Sequence, residues 1–156
     1  LARDAADKLN FRKPVALHTP LLGSLSGPGR MDTGAKMSKS DPSGTLLVHD
    51  TKKQLAKKLS KAYCPLEREG NPVLDIWQHL LEPATGEIII KRPEKFGGNL
   101  EFTSYLELEK SYLSGKLHPL DLKNGTASAL FALIEPMQEA CNKNSEFYDA
   151  LLSAMN

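Results

Sequence analysis

The sequence has little of what disulfide-stabilised, metal-clustered or membrane-spanning proteins need. It contains 2 cysteines, Cys64 and Cys141, in 156 residues. Two thiols make neither a disulfide framework nor a metal-ligand cluster, so we expect reduced cysteines and no bound metal. The longest apolar run, Ala129 to Ile134, is much too short to cross a bilayer.

The net charge is also small: 20 lysines and arginines nearly balance 19 aspartates and glutamates and leave a net charge of +1. This balance gives the chain as a whole no strong electrostatic attraction to nucleic acid. Hydrophobic residues make up 40% and charged residues 25%, values near the average for globular proteins. Charged residues interrupt the beginning of the sequence, so no secretion signal is visible and we expect a cytoplasmic location.

Glycine and lysine are present, and they meet in one segment. Lys36-Met37-Ser38-Lys39-Ser40 lies in a stretch that contains Gly23, Gly27, Gly29, Gly34 and Gly44. Glycine lets backbone N–H groups approach an anion, and lysine places a compact charge at the end of a flexible stem. We therefore predict a loop that closes on a polyphosphate. The alternative is a lysine-rich loop that is only solvated.

A short apolar run precedes this loop. Val15 to His18 follows a proline and stops at Thr19-Pro20, a pattern typical of a buried strand in a parallel sheet. The alanine-rich stretch from Leu1 to Asn10 predicts a helix before it. Ligands of such sheets collect beyond the carboxyl ends of the strands, where this loop begins. The order therefore predicts the last piece of an α/β nucleotide-binding layer.

A second concentration of positive charge follows, in a segment that Asp50-Thr51 can cap as a helix. Leu55, Leu59 and Ala62 form one apolar stripe of that helix, and lysines occupy the rest of its surface. Such a lysine face is either simply solvated or lies along RNA phosphates, which would make binding depend on salt. The candidate phosphate contacts are Lys52, Lys53, Lys57, Lys58 and Lys61.

The rest of the chain is predicted to be helical with one short hairpin. Asn71-Pro72 has the residues of a helix start, and Pro83 is expected to end that helix. Glu87 to Lys91 and Leu100 to Phe102 are expected to pair as strands across Gly97-Gly98.

Two further helices are expected after the hairpin. Thr103 or Ser104 would cap the first and Gly115 would end it, with an inward face of Tyr105, Leu108 and Tyr112. The second helix would run from Pro119 to Asn142, and Pro136 would kink it. Its predicted buried face consists of Leu130, Phe131, Ile134, Met137 and Cys141.

Three residues indicate a pocket for one unstacked base. Phe96 stands beside Gly97-Gly98, which leave one face of its ring open to a flat ligand. His118 and Asp121 share a face of the first turn of a helix. RNA loops are read by stacking and by hydrogen bonds to base edges, and guanine offers adjacent N1–H and N2–H donors to a carboxylate. The alternative is structural, since His118 can cap a helix and Asp121 suits its dipole.

Several motifs in one order resemble a known family. From about residue 10 to 142 the chain is similar to the C-terminal half of archaeal-type tyrosyl-tRNA synthetases, which are class I aminoacyl-tRNA synthetases. The resemblance rests on the KMSKS segment and then on 61–65 (KAYCP), 69–72 (EGNP), 90–98 (IKRPEKFGG) and 117–124 (LHPLDLKN). It implies a mainly α fold, with a helical anticodon-binding domain and a short β-hairpin over 50–156. The last strand and the KMSKS loop of a Rossmann-type catalytic domain would precede it over 1–49.

The resemblance also implies roles for the candidate residues. Lys36 and Lys39 would be catalytic, within an ATP-binding segment from Lys36 to Ser40, and ATP with Mg²⁺ would be a substrate rather than a tightly bound cofactor. Phe96, His118 and Asp121 would surround the first anticodon base, G34, of tRNA-Tyr. The lysine-rich helix would face tRNA phosphates.

The enzyme implied by the resemblance activates tyrosine with ATP and transfers it to tRNA-Tyr, as a homodimer. The first signature of the family, with its ATP-binding histidines, does not occur in this sequence. We therefore expect a C-terminal portion that is inactive by itself. Two other functions stay open: a nonenzymatic RNA-binding module, and a protein-interaction fragment with no RNA ligand.

Overall fold

A computed structural model describes residues 2–27, 36–38, 40–146, 150 and 153 of the chain. Within these ranges the protein is mostly helical and has one two-stranded antiparallel sheet. The helices are α1 (Ala2–Lys8), α2 (Lys52–Lys61), α3 (Pro72–Ile76), α4 (Glu82–Thr85), α5 (Tyr105–Leu113) and α6 (Pro119–Lys143). The strands are β1 (Ile88–Ile90) and β2 (Leu100–Phe102). None of the helices in these ranges is both long enough and apolar enough to cross a membrane.

The mainly α fold with a short hairpin is confirmed, but the strand predicted at Val15 to His18 is wrong. Residues 11–20 form no strand, and the side chains of Val15 and Leu17 are 89% and 94% exposed. A parallel strand needs a neighbour to bond its backbone groups, and the part of the chain that the structure describes provides none there. The predicted helix before it is present as α1.

One hydrophobic core joins α2, α3, α5 and α6. Leu55 and Leu59 of α2 are buried with residues of α3, α5 and α6, and Leu25 from the glycine-rich stretch belongs to the same cluster. Trp77 is 1% exposed, and its Nε1–H donates to Thr126 Oγ1 at 2.8 Å. The Thr126 hydroxyl in turn donates to the Leu122 carbonyl at 2.7 Å, so these buried polar groups are all paired.

Two of the predicted helix starts are confirmed by their capping bonds. Thr51 caps α2 in a capping box with Gln54, whose side chain accepts from the Thr51 N–H at 2.8 Å. Asn71 caps α3, because its Oδ1 accepts from the N–H groups of Val73 and Leu74 at 3.1 and 3.2 Å. Its amide also donates to the Pro65 carbonyl at 2.9 Å, which fixes the loop before the helix.

The prediction that Pro83 ends the second helix is wrong. The chain passes from α3 through a π-helical turn (Trp77–Leu81) into α4, and Pro83 lies in the first turn of α4. Pro83 directly follows the π-helical turn, where the regular i→i−4 hydrogen-bond pattern is already interrupted, so the N–H that it lacks costs little there. The helix ends instead at Gly86, which has a φ of 68°.

The hairpin and α5 agree with the prediction. Ile88 pairs with Phe102, and Ile90 pairs with Leu100. Ser104 occupies the capping position of α5 but makes no side-chain capping bond. The N–H and hydroxyl of Thr103 instead donate to Glu107 Oε2, each at 2.8 Å, which lowers the pKa of Glu107. Gly115 follows the helix with a φ of 76°.

The long helix α6 is present, but part of its predicted buried face is wrong. Met137 is 47% exposed and Cys141 is exposed, whereas Leu130 is buried. Phe131 and Ile134 are partly buried against the core. The buried residues lie in the first half of α6: Leu122, Gly125, Thr126, Ala127 and Leu130. The helix contacts α2, β1 and α3. Pro136 lies inside the helix, which continues to Lys143.

Candidate functional site

The KMSKS segment is held at its start by backbone bonds. Lys36 forms an isolated antiparallel bridge with Gly23, and the Met37 N–H donates to the Leu22 carbonyl at 3.5 Å. Met37 packs partly buried against the core, whereas Lys36 is exposed. The backbone is therefore anchored while the cation reaches solvent. Lys39, the second predicted cation, lies outside the described residues.

Ser38 is fixed by Thr45. The Ser38 N–H donates to Thr45 Oγ1 at 3.0 Å, and the Thr45 hydroxyl donates to the Ser38 carbonyl at 2.7 Å. The Ser38 and Ser40 hydroxyls lie 2.8 Å apart and share a hydrogen bond. Thr45 is only 7% exposed, so the sequence-predicted segment rests on a buried residue that the sequence reasoning missed.

Asp41 organises the turn that follows. Its Oδ1 accepts from the Ser43 hydroxyl at 2.7 Å and from the Gly44 N–H at 3.1 Å, and these bonds lower the pKa of Asp41. A side chain at Gly44 would collide with the turn, since a Cβ there would lie 2.3 Å from both Asp41 Oδ2 and Ser24 Oγ. The Asp-Pro-Ser-Gly sequence is itself a turn signal and made this feature predictable.

Lys58 differs from the prediction that placed it among the exposed lysines. Its Nζ lies 2.8 and 2.7 Å from the two oxygens of Asp50 and 2.9 Å from the Thr45 carbonyl oxygen. The side chains of Lys58 and Asp50 are only 15% and 4% exposed. The ammonium is thus committed to a buried ion pair and to the Thr45 carbonyl.

The other four predicted phosphate contacts are exposed: Lys52, Lys53, Lys57 and Lys61. Lys52 Nζ lies 5.7 Å from the centre of the Phe131 ring, a cation–π distance. A pocket of about 460 Å³ separates α2 from the turn after the KMSKS segment; its lining is Leu25, Ser26, Pro42, Ser43, Gln54, Lys57, Lys58, Lys61 and Ala62. The lysine face and the KMSKS turn therefore border one space.

Phe96 lies at the tip of the hairpin, in a 3₁₀ turn (Glu94–Phe96), and is 58% exposed. Gly97 and Gly98 follow with φ values of 93° and 72°, which favour glycine. Lys95 Nζ lies 4.9 Å from the centre of the Phe96 ring. An exposed ring beside two glycines has the open face that stacking on a base requires.

His118 and Asp121 lie at the start of α6, as predicted, and each has a structural partner. His118 Nδ1 accepts from the Leu120 N–H at 3.1 Å and so caps the helix. Asp121 Oδ2 lies 3.8 Å from Arg92 Nη1. His118 therefore caps α6, which is the structural alternative that the sequence analysis gave for this residue.

Arg92 is the residue that sequence reasoning missed at this site. Its Nε–H donates to the Gly98 carbonyl at 3.0 Å, and its guanidinium faces Asp121. The Arg92 side chain is only 11% exposed. It joins the loop that carries Phe96 to the helix turn that carries His118 and Asp121. An arginine in a loop that contains two glycines is a sequence signal for a functional residue. Its partner, Asp121, is distant in sequence, so the sequence alone does not show the contact.

No group of three or more histidine, cysteine, aspartate or glutamate side chains that could hold a metal ion occurs within the described ranges. Cys64 and Cys141 are free thiols. The candidate site residues combine lysines and hydroxyls with one exposed aromatic ring, a histidine, a carboxylate and an arginine, a set that suits phosphates and bases.

Comparison with known proteins connects these features. The family of tRNA synthetases class I (W and Y) matches residues 1–135. The tyrosine–tRNA ligase of Aeropyrum pernix is 45% identical over 152 residues, which are 90% of this chain and 42% of that protein. The ligase of Picrophilus torridus is 45% identical over 141 residues, 89% of this chain and 43% of the relative. The chain thus spans less than half the length of these curated relatives.

Solved structures give the same result. The crystal structure of tyrosyl-tRNA synthetase from Aeropyrum pernix has a TM-score of 0.80 and 40% identity, and covers 97% of this chain and 42% of its own. The enzyme from Archaeoglobus fulgidus, complexed with L-tyrosine, has a TM-score of 0.76 and 39% identity, over 88% of this chain and 41% of its own. The resemblance to archaeal-type tyrosyl-tRNA synthetases is confirmed, and the chain belongs to the class I tRNA synthetase family of the W and Y type.

Proposed function

We propose that this chain is the part of a tyrosine–tRNA ligase that carries the KMSKS segment and reads the anticodon. The complete enzyme would activate tyrosine with ATP, release pyrophosphate and transfer the tyrosyl group to tRNA-Tyr. The observation that carries the proposal is the Arg92–Asp121 contact, which brings a loop with an exposed aromatic ring to a helix turn with a carboxylate. The similarity to named tyrosine–tRNA ligases supports the choice of amino acid.

The KMSKS segment would act during tyrosine activation. The tyrosine carboxylate attacks the α-phosphorus of ATP, and negative charge grows on the departing pyrophosphate. Lys36 and Lys39 would stabilise that charge, because cations held in place lower the barrier most where charge develops. Ser38 and Ser40 would contribute hydroxyl or backbone donors, and Met37 would support the segment from the core. Mg²⁺ would accompany the ATP phosphates as part of the substrate.

The hairpin tip and the start of α6 would read G34 of tRNA-Tyr. Phe96 would stack on the base, and the Asp121 carboxylate would accept from guanine N1–H and N2–H. His118 Nδ1 accepts a hydrogen bond from the Leu120 N–H, so the ring proton would be on Nε2. His118 Nε2 would donate a hydrogen bond to an RNA oxygen. Arg92 would hold Asp121 in position between the two elements.

The exposed lysines of α2 would contact tRNA phosphates: Lys52, Lys53, Lys57 and Lys61. Residues 1–49 would belong to the catalytic part of the enzyme, and 50–156 to the anticodon-binding part. A homodimer and a cytoplasmic location belong to the same proposal.

Binding of an anticodon stem-loop tests the anticodon part. We would measure the affinity of this chain for the tRNA-Tyr stem-loop with G34 and for a loop changed at that base, over a range of salt. A preference of about 1–3 kcal/mol for G34 is expected, and Asp121→Asn should remove it. Equal affinity for both loops would exclude base reading by this pocket.

Tyrosine-dependent exchange of pyrophosphate into ATP tests the ligase part in the complete polypeptide. Exchange that requires tyrosine and is lost in Lys36→Met is the expected result. G34-dependent binding with no exchange by the complete polypeptide would instead favour a nonenzymatic RNA-binding module.

A further inference from the structure

One lysine of α2 points into the protein while its neighbours point out. The Lys58 ammonium has three N–H donors, and three oxygen atoms surround it: both carboxylate oxygens of Asp50 and the carbonyl oxygen of Thr45. Asp50 Oδ2 also accepts from the Leu47 N–H at 2.8 Å. A buried ion pair is costly to desolvate and needs this number of partners to persist. All of these partners come from the stretch between the KMSKS segment and α2.

Thr45 links this ion pair to the KMSKS segment. Its carbonyl oxygen accepts from Lys58, and its hydroxyl bonds both the N–H and the carbonyl of Ser38. The contacts therefore run without interruption from α2 through Lys58 and Thr45 to the backbone of Ser38. Thr45 is 7% exposed, so water competes little for these bonds.

We propose that Lys58, clamped by Asp50, is a positioning residue that sets the KMSKS segment on helix α2 through Thr45. It acts on catalysis through Ser38 and does not touch the substrate. The inference rests on the proposed ligase function, because only a catalytic loop needs its cations held in one place. The proposal removes Lys58 from the phosphate-binding set and gives it a different task in the same enzyme.

The expected kinetic effect follows from geometry. Ser38 lies between Lys36 and Lys39 in sequence, so a shift of its backbone moves both predicted cations. A displacement of about 1 Å in a catalytic group can cost about a hundredfold in rate. The anchor contacts Ser38 and Lys58, and in the proposed enzyme it acts on the KMSKS segment and not on tyrosine. Loss of the anchor should therefore lower kcat and leave the KM for tyrosine unchanged.

Thr45→Val is the decisive variant, because it keeps the shape of the side chain and the bond from Lys58 to the carbonyl but removes both bonds to Ser38. In the complete ligase we expect kcat for tyrosine-dependent pyrophosphate exchange to fall about tenfold to a hundredfold. The KM for tyrosine should stay within about twofold of the wild-type value, as expected for an interaction that acts on the chemical step. Thr45→Ser restores the hydroxyl and should recover most of the rate. Ser60→Ala, an exposed change on α2, is the matched control and should have no effect.

Lys58→Met tests the other end of the link, with Lys58→Arg as the variant that keeps the charge. Lys58→Met leaves the Asp50 carboxylate buried without its partner, which destabilises the fold. If this variant does not fold, Thr45→Val alone decides the test. Where Lys58→Met folds, the same kcat loss with the same KM is expected. A folded Lys58→Met enzyme with wild-type kcat would overturn the role of Lys58.

Amide hydrogen exchange gives a readout that does not depend on activity. The Ser38 amide should exchange at least about tenfold faster in Thr45→Val, while amides in the buried half of α6 keep their protection. Unchanged Ser38 exchange together with unchanged kcat would overturn the positioning role. If the complete wild-type polypeptide shows no tyrosine-dependent exchange of pyrophosphate into ATP, the proposed ligase function fails. Hydrogen exchange of the Ser38 amide would then still show whether Thr45 holds the KMSKS segment.

Discussion

Ile90 of β1 lies directly against the bare α-carbon of Gly125 in α6. A Cβ at Gly125 would come within 2.6 Å of Ile90 Cδ1 and 3.2 Å of Ile90 Cγ2. Ile90 is fully buried. The absence of a side chain at Gly125 thus lets the hairpin rest on the helix that carries His118 and Asp121. This contact places both halves of the proposed anticodon pocket relative to each other.

Gly125→Ala should destabilise the protein, although alanine is the better helix former. Alanine gains about 1 kcal/mol of helix propensity. Overpacking against Ile90 costs about 1–3 kcal/mol, so the free energy of unfolding should fall by about 1 kcal/mol. Urea unfolding followed by circular dichroism measures the change.

Ile90→Val is the matched partner variant, because it removes the Cδ1 atom that the new methyl group would strike. The double variant should lose less stability than the sum of the two single variants. Strict additivity, or a more stable Gly125→Ala protein, would show that the close packing between β1 and α6 is absent in solution.

Arg92→Met should remove the preference for guanine while leaving the chain folded. Arg92 contacts Asp121 and the Gly98 carbonyl, and without it the carboxylate loses the position that the proposed base reading requires. We expect the preference for a G34 stem-loop over a changed loop to fall by about 1–3 kcal/mol. Lys91→Met, an exposed change at the adjacent position, is the control and should lose only general affinity. Retained guanine preference in Arg92→Met would mean that Asp121 is positioned by something else.

The features that sequence reasoning predicted correctly are those fixed by local chemistry. Thr51 and Asn71 cap helices because a short polar side chain can bond the free N–H groups of the next turn. The hairpin follows from three isoleucines, two glycines and a second apolar run. These signals involve residues close in sequence, so they are visible without any knowledge of packing.

The features that were missed depend on distant partners. Val15 to His18 has the composition of a strand, but composition supplies no neighbouring strand. Met137 continues the helical period of α6 past the point where other elements cover it. Lys58 has the same sequence signal as Lys57, and only the position of Asp50 shows that one is buried and the other exposed. Arg92 is likewise defined by Asp121, which follows much later in the chain.

The lysines of α2 should separate into two groups by experiment. The slope of log affinity against log salt is negative. Changing Lys57 and Lys61 to glutamine should make it less steep by about 0.7–0.9 for each phosphate that is no longer neutralised. Stability should change little, because both side chains are exposed. Filter binding of the tRNA-Tyr stem-loop at several salt concentrations measures the slope.

Lys58→Met should show the opposite pattern. It leaves the Asp50 carboxylate buried without its cation, and breaking such a pair costs about 3 kcal/mol of folding free energy. The salt dependence of stem-loop binding by the folded fraction should be unchanged, since the Lys58 ammonium is held by Asp50 and the Thr45 carbonyl. A smaller salt slope with wild-type stability would place Lys58 on the RNA surface after all.

Alkaline pH should destabilise the fold through Tyr112. Burial raises the pKa of Tyr112 above its usual value, and burial likewise raises the pKa of the neighbouring Cys64 thiol. The Tyr112 hydroxyl donates to the Pro65 carbonyl at 2.8 Å and lies 3.2 Å from Cys64 Sγ, so the native state keeps the phenol protonated. Above about pH 10 the unfolded chain releases this proton and the folded chain does not.

Because the folded state then binds more protons, stability is fully present below that pH and falls as the pH rises. One retained proton lowers the free energy of unfolding by up to about 1.4 kcal/mol per pH unit. Tyr112→Phe has no phenol to titrate, so it should be less stable at neutral pH but should lose less stability between about pH 10 and 11. Urea midpoints at neutral and alkaline pH measure both effects. Parallel pH curves for the two proteins would show that Tyr112 ionises equally in the folded and unfolded chains, and that its buried hydrogen bonds do not hold the proton.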